Sequence, residues 1–172
     1  MPSDFAEQAS DHVRLMLQSG ASRFEILTKL ATAAESVSIP GSVASILVLD
    51  ENRLLRNGAS PNLPDDYLSA IDGLKPDPGV GTCASAAATG SVVVTRDFYA
   101  DEKWAELRQL PLALGFVAAW SMPIKSPEGT ILGTIGTYFR EHRSPSPEER
   151  RSVALLADAA ALALAGSQAD SI

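Results

Sequence analysis

One cysteine, two histidines and no long apolar run: these shortages remove several classes of function from a chain of 172 residues. The lone thiol, Cys83, has no partner for an internal disulfide, which fits a reducing compartment and a cytoplasmic location. His12 lies in an N-terminal helical stretch and His142 in a loop beside Arg140 and Arg143. A zinc or non-haem iron site needs several His, Cys or carboxylate ligands that converge, and no such cluster is visible. No axial haem histidine and no Ser–His–Asp set is recognisable either. No metal and no cofactor is therefore expected. Basic charge is also scarce: 14 Lys and Arg against 21 Asp and Glu give a net charge of −7. The basic residues are scattered, and Glu148–Arg151 mixes both signs, so no stripe exists for a nucleic-acid backbone. No apolar run approaches the ~20 residues that span a bilayer, so no membrane partner is expected. Met1–Ser10 has neither a basic start nor an apolar stretch, unlike a signal peptide. No internal repeat and no linker between two cores is present.

What the chain does contain is an ordinary globular composition, 45% hydrophobic and 20% charged, enough for one domain with a sizeable core. Residues 5–18 read as a helix, with Phe5, Ala9, His12, Val13 and Met16 on one stripe. Ser22 and Glu25 form a capping-box pattern for a second helix to about Val37. The β-rich run 42–49, the turn Asp50-Glu51-Asn52 and the run 54–59 read as a hairpin. A Pro/Asp/Gly-rich stretch follows at 60–79, with a short helix at 65–71. The small-residue run after Gly81 reads as helical from Thr82, 91–95 as a short strand, and 101–110 as a helix interrupted by Pro111. Strands at 116–124 and 130–139 flank a second turn. Ser146, Pro147 and Glu149 open a last helix to about Ala165. Strands joined by short turns pair antiparallel, and helices at both ends must cover them, which is an α+β layered arrangement.

The segment 79–139 carries a longer pattern: Gly79-Val80-Gly81-Thr82-Cys83, Ala86-Ala87, Val92-Val93-Val94, Asp97, Trp104, Gly115-Phe116, Ala119-Trp120-Ser121-Met122-Pro123-Ile124, Gly129, Leu132-Gly133-Thr134 and Tyr138. In order and spacing this resembles the GAF domains of bacterial signalling proteins, in the subgroup with a Trp-Ser-x-Pro-Ile strand. The match covers about residues 22–165. It implies a GAF/PAS-like fold with a central antiparallel sheet of five or six strands. The terminal helices lie on one face and 60–115 on the other. Two departures stand out. Ala84 replaces the usual glycine after the first cysteine, and Ala119 replaces the cysteine before Trp-Ser. A redox or metal role for a cysteine pair is thereby lost.

The expected ligand-binding residues are Gly81, Thr82, Cys83, Ala84, Asp97, Trp104, Trp120, Ser121 and Tyr138. Gly81 leads into a helix whose N-terminal N–H groups at Thr82, Cys83 and Ala84 suit a small anion, or the glycines serve a tight turn that lets the helix pack closely. Cys83 in the first turn is placed for a thiolate, or is a buried small hydrophobe. Alternation along the strand sends Trp120 and Ser121 to opposite faces; each is weighed as a pocket residue against a core residue. Asp97 reads as a ligand contact or a turn residue, and Trp104 as a pocket lid or a core residue.

The resemblance implies a non-enzymatic sensory module for a small molecule. Small anions such as nitrate and short carboxylic acids are the first candidates, with output through a partner such as a sensor kinase. Similar proteins include nitrate-binding accessory GAF proteins. Two rivals remain. One is an enzyme like free methionine-R-sulfoxide reductase, which needs a resolving thiol that this chain lacks. The other is a pure dimerisation module. The expected organisation is an N-terminal helix at 1–21, a GAF domain at 22–166 and a flexible tail at 167–172. Leu155 and Leu162, opposite the core stripe of the last helix, point to a homodimer through the terminal helices, or are covered by the first helix of the same chain.

Overall fold

The computed structural model describes the backbone of residues 2–170 and the side chains of residues 4–165. Among the described residues, six helices and five strands follow in the order α1 (Pro2–Gln18), α2 (Arg23–Ser36), β1 (Val43–Leu49), β2 (Leu55–Ala59), α3 (Asp65–Ile71), α4 (Cys83–Thr89), β3 (Val93–Thr95), α5 (Gln109–Ala113), β4 (Ala118–Lys125), β5 (Ile131–Phe139) and α6 (Pro147–Asp170), with a 3-10 turn at Glu102–Trp104. The strands form one antiparallel sheet in the order β2-β1-β5-β4-β3. The backbone of α6 continues to Asp170, past the expected end near Ala165 and into the tail expected at 167–172, of which residues 171–172 lie outside the described residues.

Capping sets the helix starts. Glu149 N donates to Ser146 Oγ at 3.1 Å and Ser146 N donates back to Glu149 Oε1 at 3.2 Å, a complete capping box for α6. At Ser22 only the serine half forms, with Glu25 N donating to Ser22 Oγ. Pro111 does not end a helix but sits at the third position of α5. A first-turn residue has no intrahelical acceptor for its N–H, so proline costs little there. Of the residues expected as one helix over 101–110, Glu102–Trp104 tighten into the 3-10 turn, where Asp101 Oδ1 accepts from Lys103 N, and only Gln109 and Leu110 are α-helical, at the start of α5.

Alternation along the strands divides the interior in two. One core joins α1, α2 and α6 to the sheet through residues such as Leu30, Ile46, Trp120, Ile135, Phe139 and Leu156. The other lies across the sheet, where Leu47, Tyr67, Ile71, Cys83, Phe98, Trp104, Phe116 and Tyr138 pack beneath the 60–115 segment. The α1 stripe is turned from its expected position. Ala6, Ala9 and Val13 are buried, whereas Phe5 and His12 face outward. Small side chains let α1 approach α6 closely, and Ser10 Oγ reaches the Leu155 carbonyl at 3.3 Å. Leu155 is therefore half-buried within its own chain, while Leu162 stays exposed.

One residue reaches around the sheet edge. Glu35 at the end of α2 accepts from Ala44 N on β1 at 2.9 Å and from Asn62 Nδ2, in the loop of the opposite layer, at 2.7 Å. Among the described residues, no helix is long and apolar enough to cross a membrane, and no group of three His, Cys, Asp or Glu is placed to hold a metal.

Candidate functional site

On the face away from the terminal helices, β4 presents Ser121 and β5 presents Gly136 and Tyr138. Helix α4 lies on this floor because its residues are small and Gly136 leaves room. A Cβ on Gly136 would come within 2.9 Å of Cys83 Sγ and 3.2 Å of Ser121 Oγ. Cys83 Sγ lies 3.1 Å from Ser121 Oγ, which in turn donates to Thr82 Oγ1 at 2.9 Å. Burial pushes the Cys83 thiol up, outweighing its hydrogen bond to Ser121, so the sulfur is protonated near neutrality. The thiolate favoured by a first-turn position is thus overridden by desolvation.

Gly81 turns the chain into α4 with φ +56°, the left-handed region. Its N–H donates to the Lys103 carbonyl at 2.7 Å, and the Trp104 ring lies 3.7 Å from where a Cβ would stand. Trp104 is itself held: Nε1 donates to Thr95 Oγ1 at 3.1 Å, and the ring packs on Phe98 with centroids 4.3 Å apart. Thr95 Oγ1 donates to Asp101 Oδ2 at 2.6 Å, and Asp101 also pairs with Lys103 Nζ at 2.9 Å. Burial raises the Asp101 pKa, but the donors from Thr95 and Lys103 outweigh it and hold the carboxyl below its ordinary value.

Between these parts is a cavity of about 20 Å³, room for roughly one water. It is lined by Gly81, Thr82, Cys83, Ala84, Trp104 and Tyr138, and by Leu47, Tyr67, Ile71, Leu74, Val80, Leu107 and Leu110. Every lining side chain is neutral. Tyr67 Oη donates to Tyr138 Oη at 2.7 Å, and the rings meet edge to face. Burial pushes both phenols well above their usual range, so both remain protonated. Each hydroxyl has one proton, and among the described residues these two oxygens bond only each other, so one O–H is left over. An unmet buried donor costs about 1–3 kcal/mol.

Six of the nine residues expected to bind ligand, Gly81 through Ala84 with Trp104 and Tyr138, surround one cavity, and Ser121 lies directly beneath. Two do not belong. Trp120 points to the helix side and is 1% exposed in that core, because alternation opposes it to Ser121. Asp97 is a turn residue: Oδ1 accepts from Tyr99 N at 2.9 Å and lies 3.6 Å from His142 Nε2, outside the cavity lining. Tyr67 also lines the cavity without being among the expected residues; its spacing of four from Ile71 marks an inward face of α3.

A family model described as "GAF domain" matches residues 21–165. The chain belongs to the GAF domain family. This GAF domain is 35% identical over 154 residues to the "Methyl sulfide methyltransferase-associated sensor" of Methanosarcina acetivorans. The alignment covers 89% of this chain and spans 15% of that protein's length. Among solved structures, the GAF domain of a phosphoenolpyruvate-protein phosphotransferase from Coxiella burnetii aligns with TM-score 0.77 at 15% identity, covering 98% of each chain. The reduced form of fRMsr of Staphylococcus aureus aligns with TM-score 0.71 at 13% identity, covering 95% of this chain and 94% of that one. At such identities these two likenesses establish the fold.

Proposed function

We propose that this GAF domain is a non-enzymatic, cytoplasmic sensory or regulatory module that takes a small molecule into the cavity beneath Trp104. Output would pass to a partner such as a sensor kinase. The carrying observation is the cavity itself, on the sheet face opposite the terminal helices. An occupant there presses on β5, and β5 carries Ile135 and Phe139 into the helix-side core. Catalysis by Cys83 is disfavoured because the thiol is buried and protonated, and the sequence holds no second cysteine to resolve a sulfenic acid.

Two ligand classes compete within this proposal: small anions, nitrate and short carboxylates first, which the N–H groups at the start of α4 would suit, and neutral molecules, which the uncharged lining would suit. The test is a thermal-shift panel of such anions beside neutral molecules of matching size. A ligand at 100 times its Kd adds about 2.7 kcal/mol of stability. No shift with any member, charged or neutral, would remove the ligand-sensing reading. Turnover of methionine sulfoxide, lost in Cys83→Ser, would overturn the non-enzymatic one.

A homodimer through the terminal helices belongs to the same proposal. Phe5, Leu15, Phe24 and Leu162 are the large apolar side chains exposed on α1, α2 and α6. Leu15→Glu with Leu162→Glu should turn a dimer into a folded monomer by light scattering. A parent protein that is already monomeric at high concentration would rule the dimer out.

A further inference from the structure

The side chains around the cavity offer charge no counterpart. None of its lining side chains is ionised: the thiol of Cys83 and the phenols of Tyr67 and Tyr138 are all protonated, and the remaining wall is aliphatic, aromatic or hydroxyl. A buried ion without a partner is strongly disfavoured. The same wall nevertheless holds one hydrogen-bond donor in excess. Two phenols bring two protons, their 2.7 Å contact uses one, and no other acceptor meets either oxygen among the described residues. Both tyrosine residues are 4% exposed, so bulk water does not serve that proton freely.

We infer that the cavity takes a small uncharged molecule bearing one hydrogen-bond acceptor, a carbonyl or amide oxygen, which is read by the spare phenol proton of the Tyr67–Tyr138 pair. The inference rests on the reading of this cavity as a ligand pocket and narrows it to one class. The hydrocarbon part of the ligand lies against Leu47, Leu107 and Leu110, and its oxygen faces the phenols. A cavity of about 20 Å³ is too small for such a molecule as it stands. The occupant therefore displaces the wall between Lys103 and Leu110, which consists of the end of the 3-10 turn, the turn at 105–108 and the first two residues of the short helix α5.

Acetamide and acetate have nearly the same shape and differ in charge, which makes them the discriminating probes, with acetone and nitrate as a second pair. Each is titrated into 15N-labelled protein while the amides of Gly81 and Cys83 and the Trp104 indole N–H are followed by NMR. Acetamide and acetone should shift these signals saturably, and acetate and nitrate should leave them in place. In the double variant Tyr67→Phe/Tyr138→Phe, acetone should bind about tenfold more weakly, the loss of one hydrogen bond. Because that variant removes two buried hydroxyls, a measurement on the wild type stands beside it. The 13Cζ signal of Tyr67 or Tyr138 should move with acetone and not with acetate. Saturable binding of acetate or nitrate at these residues, with none by the neutral probes, overturns the inference and leaves the ligand-pocket reading standing. Unchanged acetone affinity in a folded double variant, or unmoved Cζ signals in the wild type on binding, also overturns it. Silence from all four probes overturns the inference, and silence across the wider panel above removes the pocket reading as well.

Discussion

The two faces of the sheet are built from alternate residues of the same strands, yet they are different materials. On the helix side, long elements of 17, 14 and 24 residues bury a continuous apolar layer against Ile46, Ile135 and Phe139. On the other side no helix exceeds 7 residues, turns at Gly73, Gly81 and Gly115 have positive φ, and hydroxyl and thiol groups interrupt the apolar wall. Long amphipathic helices gain stability from packing, whereas short elements are held by individual hydrogen bonds and caps. One face therefore serves as foundation, and the other can rearrange at small cost.

The largest effects should separate those faces. Leu156→Ala removes a fully buried side chain from the helix-side core and should cost about 2–5 kcal/mol by urea unfolding. Leu107→Ala, at a half-buried position on the cavity wall, should cost distinctly less. Equal losses would break the distinction. Gly136→Ala should cost about 1–3 kcal/mol by forcing Cys83 Sγ out of its notch. Cys83→Ala should recover most of that loss in the double variant, because the obstacle is a side chain. Gly133→Ala should not be rescued in this way, since its Cβ would stand 2.1 Å from the Leu47 backbone carbonyl oxygen. Ser146→Ala should cost about 1 kcal/mol by uncapping α6, again on the helix side.

The smallest expected effect is a pH dependence on the cavity side. The folded pKa of Asp101 is depressed by its donors, so its contribution is present above the unfolded value near 3.9 and is lost as pH falls through the folded value. The stability gap between wild type and Asp101→Asn should thus be open at pH 6 and close progressively below about pH 4. A gap that stays constant into acid would show that the Asp101–Thr95–Trp104 chain is not held by the ionised carboxylate.

The sequence displayed the regular layer far better than the irregular one. Caps at Ser22 and Ser146, the two hairpins and the apolar strands carry local signals, and their elements begin within a residue or two of the expected positions, while α6 runs on past the expected end near Ala165 to Asp170. The α1 stripe keeps Ala9 and Val13 but excludes Phe5, since close packing on α6 favours the small Ala6 and Ala9 over a large apolar side chain. At the site, spacing marked the Gly81–Ala84 turn. Strand alternation already set Trp120 and Ser121 on opposite faces, so both could not line one cavity. Tyr67, Leu107 and Leu110 reach the cavity only through the path of the 60–115 segment, and that path depends on tertiary contacts such as Gly81 N–H to the Lys103 carbonyl, not on local periodicity.

Glu35 gives the two layers a junction that bypasses the sheet. Its carboxylate holds the end of α2, the backbone of β1 and the side chain of Asn62 at a single point. Movement of the loop at residues 60–64 would pull on one oxygen of the carboxylate whose other oxygen holds β1. The two halves of the molecule are therefore buttoned together at the rim, and releasing Asn62 would let one side shift while the other stays fastened to β1.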